Sequence, residues 1–306
     1  MKRRYIYSSA LGLLILTFFQ FLILSPSDSK LRVYFLDVGQ GDSALIRYPT
    51  GEHLLIDTGK DSKVFRSLDK ALPWYNKTID YVLLTHGDLD HIGAMMDILE
   101  RYKVKKVFVS EFFGKIEVEQ KILEELKKEN ATVEVLKQGD ILTFGTEIQN
   151  SLRIIHPDSN CFSIYKNEND CSLVGLLTYG KQTFLFTGDI GKEVEKQIIS
   201  YVPSPLTVLK VAHHGSKNSS NKEFISKIKP QYSIISVGEN NYGHPAPEVI
   251  SILQNASSSI WSTKEAATIV AASDGTSTEV KKLFDQARFF QSSVCSVLLY
   301  SFETPC

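Results

Sequence analysis

The sequence predicts a layered α/β sandwich preceded by one membrane-crossing helix, and three observations carry that prediction. An apolar run near the N-terminus is long enough to span a bilayer. From Leu31 onward, short strand-like segments alternate with helical ones in two successive sets. The composition, 43% apolar and 23% charged over 306 residues, is that of a chain able to bury a large core. The net charge of −1 gives no global basic field of the kind that attracts nucleic acid, although a local patch would vanish in the sum.

The chain opens on the basic run Met1-Lys2-Arg3-Arg4. Tyr5 to Leu24 is then apolar apart from the uncharged Ser8, Ser9, Thr17 and Gln20. About 20 such residues cross a bilayer core as a helix. Ser25-Pro26-Ser27-Asp28 breaks the run. A cleaved signal peptide would have a shorter apolar stretch and a small-residue exit. The exit here, Leu-Ile-Leu-Ser-Pro, favours an uncleaved anchor. The positive end stays cytoplasmic, so residues beyond Lys30 emerge outside the cell, secreted if the segment is cut and tethered if it is not. The expected organisation is an anchor and linker over 1–29, a catalytic domain over 30–279 and an irregular tail over 280–306.

Within the domain, Leu31 to Val38, Ser43 to Tyr48 and His53 to Asp57 read as strands, separated by turn residues at Gly39-Gln40-Gly41-Asp42 and Pro49-Thr50-Gly51-Glu52. Val64 to Leu72 has helical spacing. Ile79 to Thr85 is an apolar strand, Gly93 to Tyr102 a helix, Val107 to Ser110 a strand, and Glu117 to Glu129 a charged surface helix. Strands follow at Val133 to Leu136, Leu152 to Ile155, Leu173 to Tyr179 and Thr183 to Thr187. Ile190 to Tyr201 reads as helix, Leu206 to Val211 as strand, Phe224 to Ile228 as a helical turn and Tyr232 to Val237 as strand. A helix at Pro247 to Leu253 and a strand at Ala267 to Ala272 complete the set. The cysteines, Cys161, Cys171, Cys295 and Cys306, contain no CxxC pair, which argues against a zinc ribbon. Cys161 and Cys171 can join in an oxidising compartment or sit as small buried hydrophobes.

The chemistry concentrates where strands end. Thr85-His86-Gly87-Asp88-Leu89-Asp90-His91 places two imidazoles and two carboxylates directly after an apolar strand, where one tight loop can aim them at a point. Imidazole nitrogen and carboxylate oxygen are natural ligands for zinc, manganese or iron. A solvated turn with Asp88 or Asp90 capping the next helix would account for one aspartate, not for both and two histidines. Phe184-Leu185-Phe186-Thr187-Gly188-Asp189 ends a second strand in a carboxylate. Leu206 to Val211 leads into Ala212-His213-His214-Gly215-Ser216. Read alone, Gly-Asp is a common turn, and a strand-end histidine is usually structural.

These motifs, together with Asp37 to Asp42, Leu54 to Gly59, Asn169 to Val174, Ser236 to Gly238 and Asn241 to Pro245, resemble the metallo-β-lactamase superfamily. They are most similar to the extracellular hydrolase domain of ComEC-type competence proteins. The resemblance runs from about Val33 to Asp274. It implies a four-layer αββα sandwich with two divalent metal ions, zinc or manganese, at one edge. By that resemblance His86 and Asp88 hold one ion and Asp90 and His91 the other, Asp189 bridges, and His213 or His214 completes the second site. The commoner superfamily form has histidine where Asp88 stands, and the oxygen-richer set makes manganese a rival to zinc. For a further first-site ligand, the chain offers Asn169 or Asp170, with His156 as a weaker candidate. Asp90 would orient or deprotonate the attacking water. His244 would donate a proton to a leaving oxygen or pair with a phosphate, with Ser216 and Lys217 near the substrate. The implied activity is two-metal hydrolysis of a phosphodiester, in DNA or a related phosphoester. The alternatives are hydrolysis of another ester or an amide, β-lactams included, and a binding module with a degenerate site.

Overall fold

The computed structural model describes residues 30–73, 75–145 and 150–283. The expected membrane helix, the anchor segment and most of the expected tail lie outside these residues. Among the described residues, no helix is long and apolar enough to cross a membrane.

The chain lays down β1 (Leu31–Phe35), β2 (Ala44–Arg47), β3 (His53–Ile56), β4 (Thr78–Leu83), β5 (Lys103–Ser110) and β6 (Thr132–Leu136) in a first sheet. It then builds a second sheet from β7 (Ile141–Leu142), β8 (Asn150–His156), β9 (Val174–Tyr179), β10 (Gln182–Phe186), β11 (Val208–Lys210), β12 (Tyr232–Ile235) and β13 (Ser259–Ser262). It returns to the first sheet with β14 (Ile269–Ser273) and β15 (Thr278–Lys282). The strand orders are β15-β14-β1-β2-β3-β4-β5-β6 and β13-β12-β11-β10-β9-β8-β7. Each sheet is antiparallel in one half and parallel in the other, with β3 to β6 parallel in the first and β10 to β13 parallel in the second.

The helices are α1 (Lys63–Ala71), α2 (Leu89–Ile92), α3 (Met95–Arg101), α4 (Glu117–Lys128), α5 (Cys161–Tyr165), α6 (Lys192–Ile198), α7 (Lys222–Ile228), α8 (Pro247–Asn255) and α9 (Thr263–Ala266). The central strands are apolar on both faces because both faces are covered. Val33, Phe35, Ile46 and Leu54 point between the sheets and meet Leu177, Phe184, Phe186 and Val208. On the outer face of the first sheet, Leu45, Leu55 and Val82 pack against α1, α3 and α4 through Val64, Leu68, Ile98 and Ile122. Leu185, Leu209 and Ile235 pack in the same way against Val194, Phe224 and Val249 of α6, α7 and α8. The result is the expected αββα stack.

Several elements differ from the sequence expectation. The helix expected over Gly93 to Tyr102 is α3, and the short α2 before it was not expected; the chain passes from one to the other at Gly93, where a side chain would meet the Lys60 carbonyl at 2.3 Å. The short edge strands β7 and β13 and the helix α5 were not expected. Residues 278–282, largely assigned to an irregular tail, form β15, an antiparallel edge strand paired to β14. Cys161 and Cys171 form a disulfide that ties α5 to the turn before β9.

Candidate metal centre

Parallel strands with a common direction bring their carboxyl ends to one edge, where loops can converge. The loops after β3, β4, β10, β11 and β12 meet there. They deliver Asp57, His86 to His91, Asp189, His213 and His214, and Ser236.

Asp189 lies at the centre, 3% exposed. Its Oδ1 is 3.3 Å from His91 Nε2, and its Oδ2 is 3.6 Å from His214 Nε2 and 3.7 Å from His213 Nε2. Asp90 Oδ2 approaches His214 Nε2 at 3.2 Å, and Asp88 Oδ2 approaches His86 Nε2 at 3.6 Å. Ligand-type atoms of His86, His91 and Asp189 fall within 4.8 Å of one another, as do those of Asp90, His91 and His214. The five residues His86, Asp88, Asp90, His91 and Asp189 are thus brought together. Of the histidine pair, His214 is buried against Asp90 and Asp189, whereas the His213 side chain is 30% exposed. His213 and His214 both adopt left-handed backbone, φ 51° and 53°. That conformation is uncommon for residues other than glycine, although histidine adopts it more often than most, and costs roughly 1 kcal/mol at each. The strain sits where the pair must turn sharply off β11 to present two rings.

A second layer of groups, carrying no role in the sequence reading, fixes the rings. Asp57 Oδ2 accepts a hydrogen bond from His91 Nδ1 at 2.8 Å and from the Thr85 hydroxyl at 2.7 Å, while its Oδ1 accepts from Thr85 N. His91 Nε2 is left as the free nitrogen facing Asp189. His214 Nδ1 lies 3.0 Å from the Ser236 carbonyl and 3.1 Å from Asp42 Oδ1, which frees its Nε2 in turn. Asp42 is paired at 2.6 Å with Lys210, a lysine buried at the end of β11. Ser172 Oγ contacts His86 Nδ1 at 3.3 Å and accepts from Asp189 N. Gly41 makes this layer possible, since a Cβ there would lie 2.4 Å from the Asp90 carbonyl, which accepts from Asp42 N.

The electrostatics are those of a cation site. Burial works against a charged His91, but the Asp189 and Asp57 carboxylates outweigh it and hold the ring well above the usual histidine range. His214 behaves likewise: burial opposes its charge, and Asp189 and Asp42 push it up to about 10. Burial alone would raise Asp189, yet the neighbouring His91 and His214 rings hold it well below the usual carboxylate range. Asp42, Asp57, Asp88, Asp90 and Asp189 face Lys210 and the imidazoles. With the rings neutral, these residues carry a surplus of four negative charges, the charge of two divalent cations. The Nε2 atoms of His86, His91 and His214 and Asp189 Oδ1 are buried without a hydrogen-bond partner. Buried polar atoms are rarely left so, and this set fits the donor chemistry of a metal pair.

The other sequence candidates lie around this cluster. Both Asp170 oxygens are occupied, one by Gly191 N at 2.7 Å and one by Asn167 Nδ2 at 2.8 Å. Asn169 gives its carbonyl to the Ser172 hydroxyl. His156 is buried with Nε2 on the Asp170 carbonyl at 2.7 Å, held in the disulfide-bonded corner. Neither Asp170 nor His156 joins His86 in a ligand group; the Thr85 and Ser172 hydroxyls lie 3.0 and 3.3 Å from its Nδ1. The Ser216 hydroxyl accepts from Asn218 N within the turn. His244 is 5.8 Å from His213, ring to ring, and its Nδ1 is buried without a partner. Burial, with His213 and His214 nearby, lowers its pKa, so its ring is neutral at pH 7. A groove of about 770 Å³ opens over Asp88, Asp90, Asp189 and both histidines, with His244 on its wall. Lys217 lines a second groove of about 500 Å³, which also reaches Asp189 and His213.

The family model described as the metallo-beta-lactamase superfamily matches residues 36–239. ComE operon protein 3 of Bacillus subtilis is 32% identical over 277 residues, 84% of this chain and 35% of that protein. Recombination protein 2 of Haemophilus influenzae is 29% identical over 236 residues, 75% of this chain and 27% of that protein. The chain thus spans about a third of the length of these curated relatives. A variant of the CmlA beta-hydroxylase superposes with a TM-score of 0.54 at 14% identity, over 78% of this chain and 53% of that one, which shows a shared fold.

Proposed function

The chain belongs to the metallo-beta-lactamase superfamily and is related to ComEC-type competence proteins, and from that premise we propose that it hydrolyses phosphodiester bonds, in DNA or a related phosphoester, outside the cytoplasm. The observation that carries this reading is the position of Asp189, whose ligand atoms converge with those of His86 and His91 in one group and with His214 in another, so that it stands between two candidate sites. His86, Asp88 and Asp189 would hold one ion, and Asp90, His91, His214 and Asp189 the other. A metal pair held there would supply a water of lowered pKa and stabilise charge on the attacking and leaving oxygens.

The protein's own groups do the rest. Asp57 holds His91, and the Ser236 carbonyl with Asp42 beside it holds His214, in the tautomer that presents Nε2, as orienting groups do for metal-binding histidines. Asp90 accepts a hydrogen bond from the attacking water and orients it. His244, neutral and at the groove wall, donates a hydrogen bond to a phosphate oxygen or to the leaving oxygen. The oxygen-rich donor set, with Asp88 beside His86, favours a harder ion and supports manganese alongside zinc.

The basic start and apolar run of residues 1–24 support a membrane tether. The Cys161–Cys171 disulfide supports an oxidising compartment for the domain. The test of activity is hydrolysis of single-stranded DNA and bis-p-nitrophenyl phosphate by metal-stripped protein after zinc or manganese is restored. Cleavage that returns with metal and is abolished in Asp189→Ala supports the reading. Bound metal without cleavage of either substrate overturns it in favour of another ester or an amide.

A further inference from the structure

Two grooves meet over the metal centre, where they share Asp189 and His213. One runs past Gln40, Lys60, Asn240, Tyr242 and His244, and the other past Tyr165, Asn167, Lys192, Lys217 and Asn218. Their volumes, about 770 and 500 Å³, each fall in the range of roughly 300–1,000 Å³ over which clefts hold small ligands, enough for a nucleotide unit on either side. A site built for chain ends or for a small diester needs one such arm. A second arm gives room only to a substrate that continues beyond the bond being cut.

The walls of both arms suit a single strand. Each carries a cationic side chain beside its acidic lining, Lys60 with Glu239 in the first and Lys217 with Glu193 in the second, where Lys192 is paired with Glu248 at 3.5 Å. Tyr242 is 76% exposed in the first arm, its ring 5.7 Å from that of His244, and offers a face on which a base can stack. Tyr165 stands in the second arm with its hydroxyl donated to Gln197, which leaves the ring as a wall of the groove. His213, partly exposed between the arms, occupies the point where they join.

We propose that a single-stranded nucleic acid lies through both grooves and is cut at internal phosphodiesters, so that the protein is an endonuclease. The proposal rests on the phosphodiesterase reading and goes beyond it. In each cut, water adds its oxygen to phosphorus, an internal P–O ester bond breaks, and the leaving oxygen takes up the proton.

The deciding substrate is a covalently closed circular single strand, which has no end to enter. It is compared with a linear strand of the same sequence and with bis-p-nitrophenyl phosphate, using the full chain with manganese or zinc. The expected result is linearisation of the circle, at a rate within about tenfold of the linear strand, followed by fragments of many lengths. Tyr242→Ala and Lys217→Glu lower the rate on the circle, relative to the rate on the small diester, by about tenfold each. An intact circle beside a linear strand trimmed to mononucleotides overturns the two-armed reading and leaves the phosphodiesterase reading standing. Cleavage of the small diester alone overturns the polymer substrate. Failure to cut any of the three overturns both readings.

Discussion

Replacing Asp57 by asparagine isolates the role of the carboxylate behind His91. The backbone there is left-handed, φ 58°, a conformation that asparagine tolerates as well as aspartate, so the fold is expected to persist. In the native chain Asp57 accepts three hydrogen bonds, from Thr85 N at 2.8 Å, Thr85 Oγ1 at 2.7 Å and His91 Nδ1 at 2.8 Å. Asparagine has one oxygen. If it stays on Thr85 N, the amide –NH₂ faces His91 Nδ1, which must then accept. The imidazole proton moves to Nε2, the atom 3.3 Å from Asp189 that would ligate a metal. Loss of such an orienting partner costs about 10- to 100-fold in metal affinity, or roughly 1.4–2.7 kcal/mol. Competition with a chromogenic chelator measures that affinity directly, with circular dichroism as the check on folding. A folded Asp57→Asn variant that binds metal as tightly as the native protein would refute the argument that Asp57 sets the His91 tautomer.

Three further outcomes follow from the same geometry. His214→Ala should leave one tightly held ion per chain after dialysis and His213→Ala two, as read by metal analysis. The reverse pattern would make His213 the ligand. Lys210→Met leaves Asp42 buried without its ammonium partner and should cost about 3–5 kcal/mol in urea denaturation; a loss under about 1 kcal/mol would show that the pair is incidental. Glu195 is buried beneath the Ser219–Asn221 turn, and burial pushes its carboxyl from an ordinary 4.5 up to about 7 despite hydrogen bonds from Ser220 N and Asn221 N. The folded chain therefore keeps a proton that the unfolded chain has lost, so stability falls as pH rises from about 4.5 to 7, by up to about 3 kcal/mol from this group. The Glu195→Gln variant should lack that slope when unfolding is followed across the window, and an unchanged slope would contradict the assignment.

Much of the site was legible because its residues are clustered in sequence and follow apolar strands. His86 to His91 and the Gly188-Asp189 turn carry their chemistry in a few adjacent positions, and parallel strands send such positions to one edge. The orienting groups were not legible for the opposite reason. Asp57 reads as the last residue of a strand, and Lys210 as an interruption in an apolar one. Lys210 acquires meaning only when the second sheet packs on the first and brings it to Asp42, a partner 168 positions away in the chain. The choice between His213 and His214 turns on two adjacent left-handed residues, a backbone detail that identical side chains conceal. Asp170 looked available as a ligand because sequence shows a carboxylate without showing that Gly191 N and Asn167 already occupy it. The edge strands β7, β13 and β15 were missed because they are short or rich in polar residues, so the register that makes them strands comes from their neighbours.

The most direct test of the central claim is to locate the ions by anomalous X-ray scattering from crystals of the protein grown with manganese or zinc. The account predicts two peaks about 3.5–4 Å apart, one among His86, Asp88 and Asp189 and the other among Asp90, His91, His214 and Asp189. A single peak, or none within reach of Asp189, would contradict it.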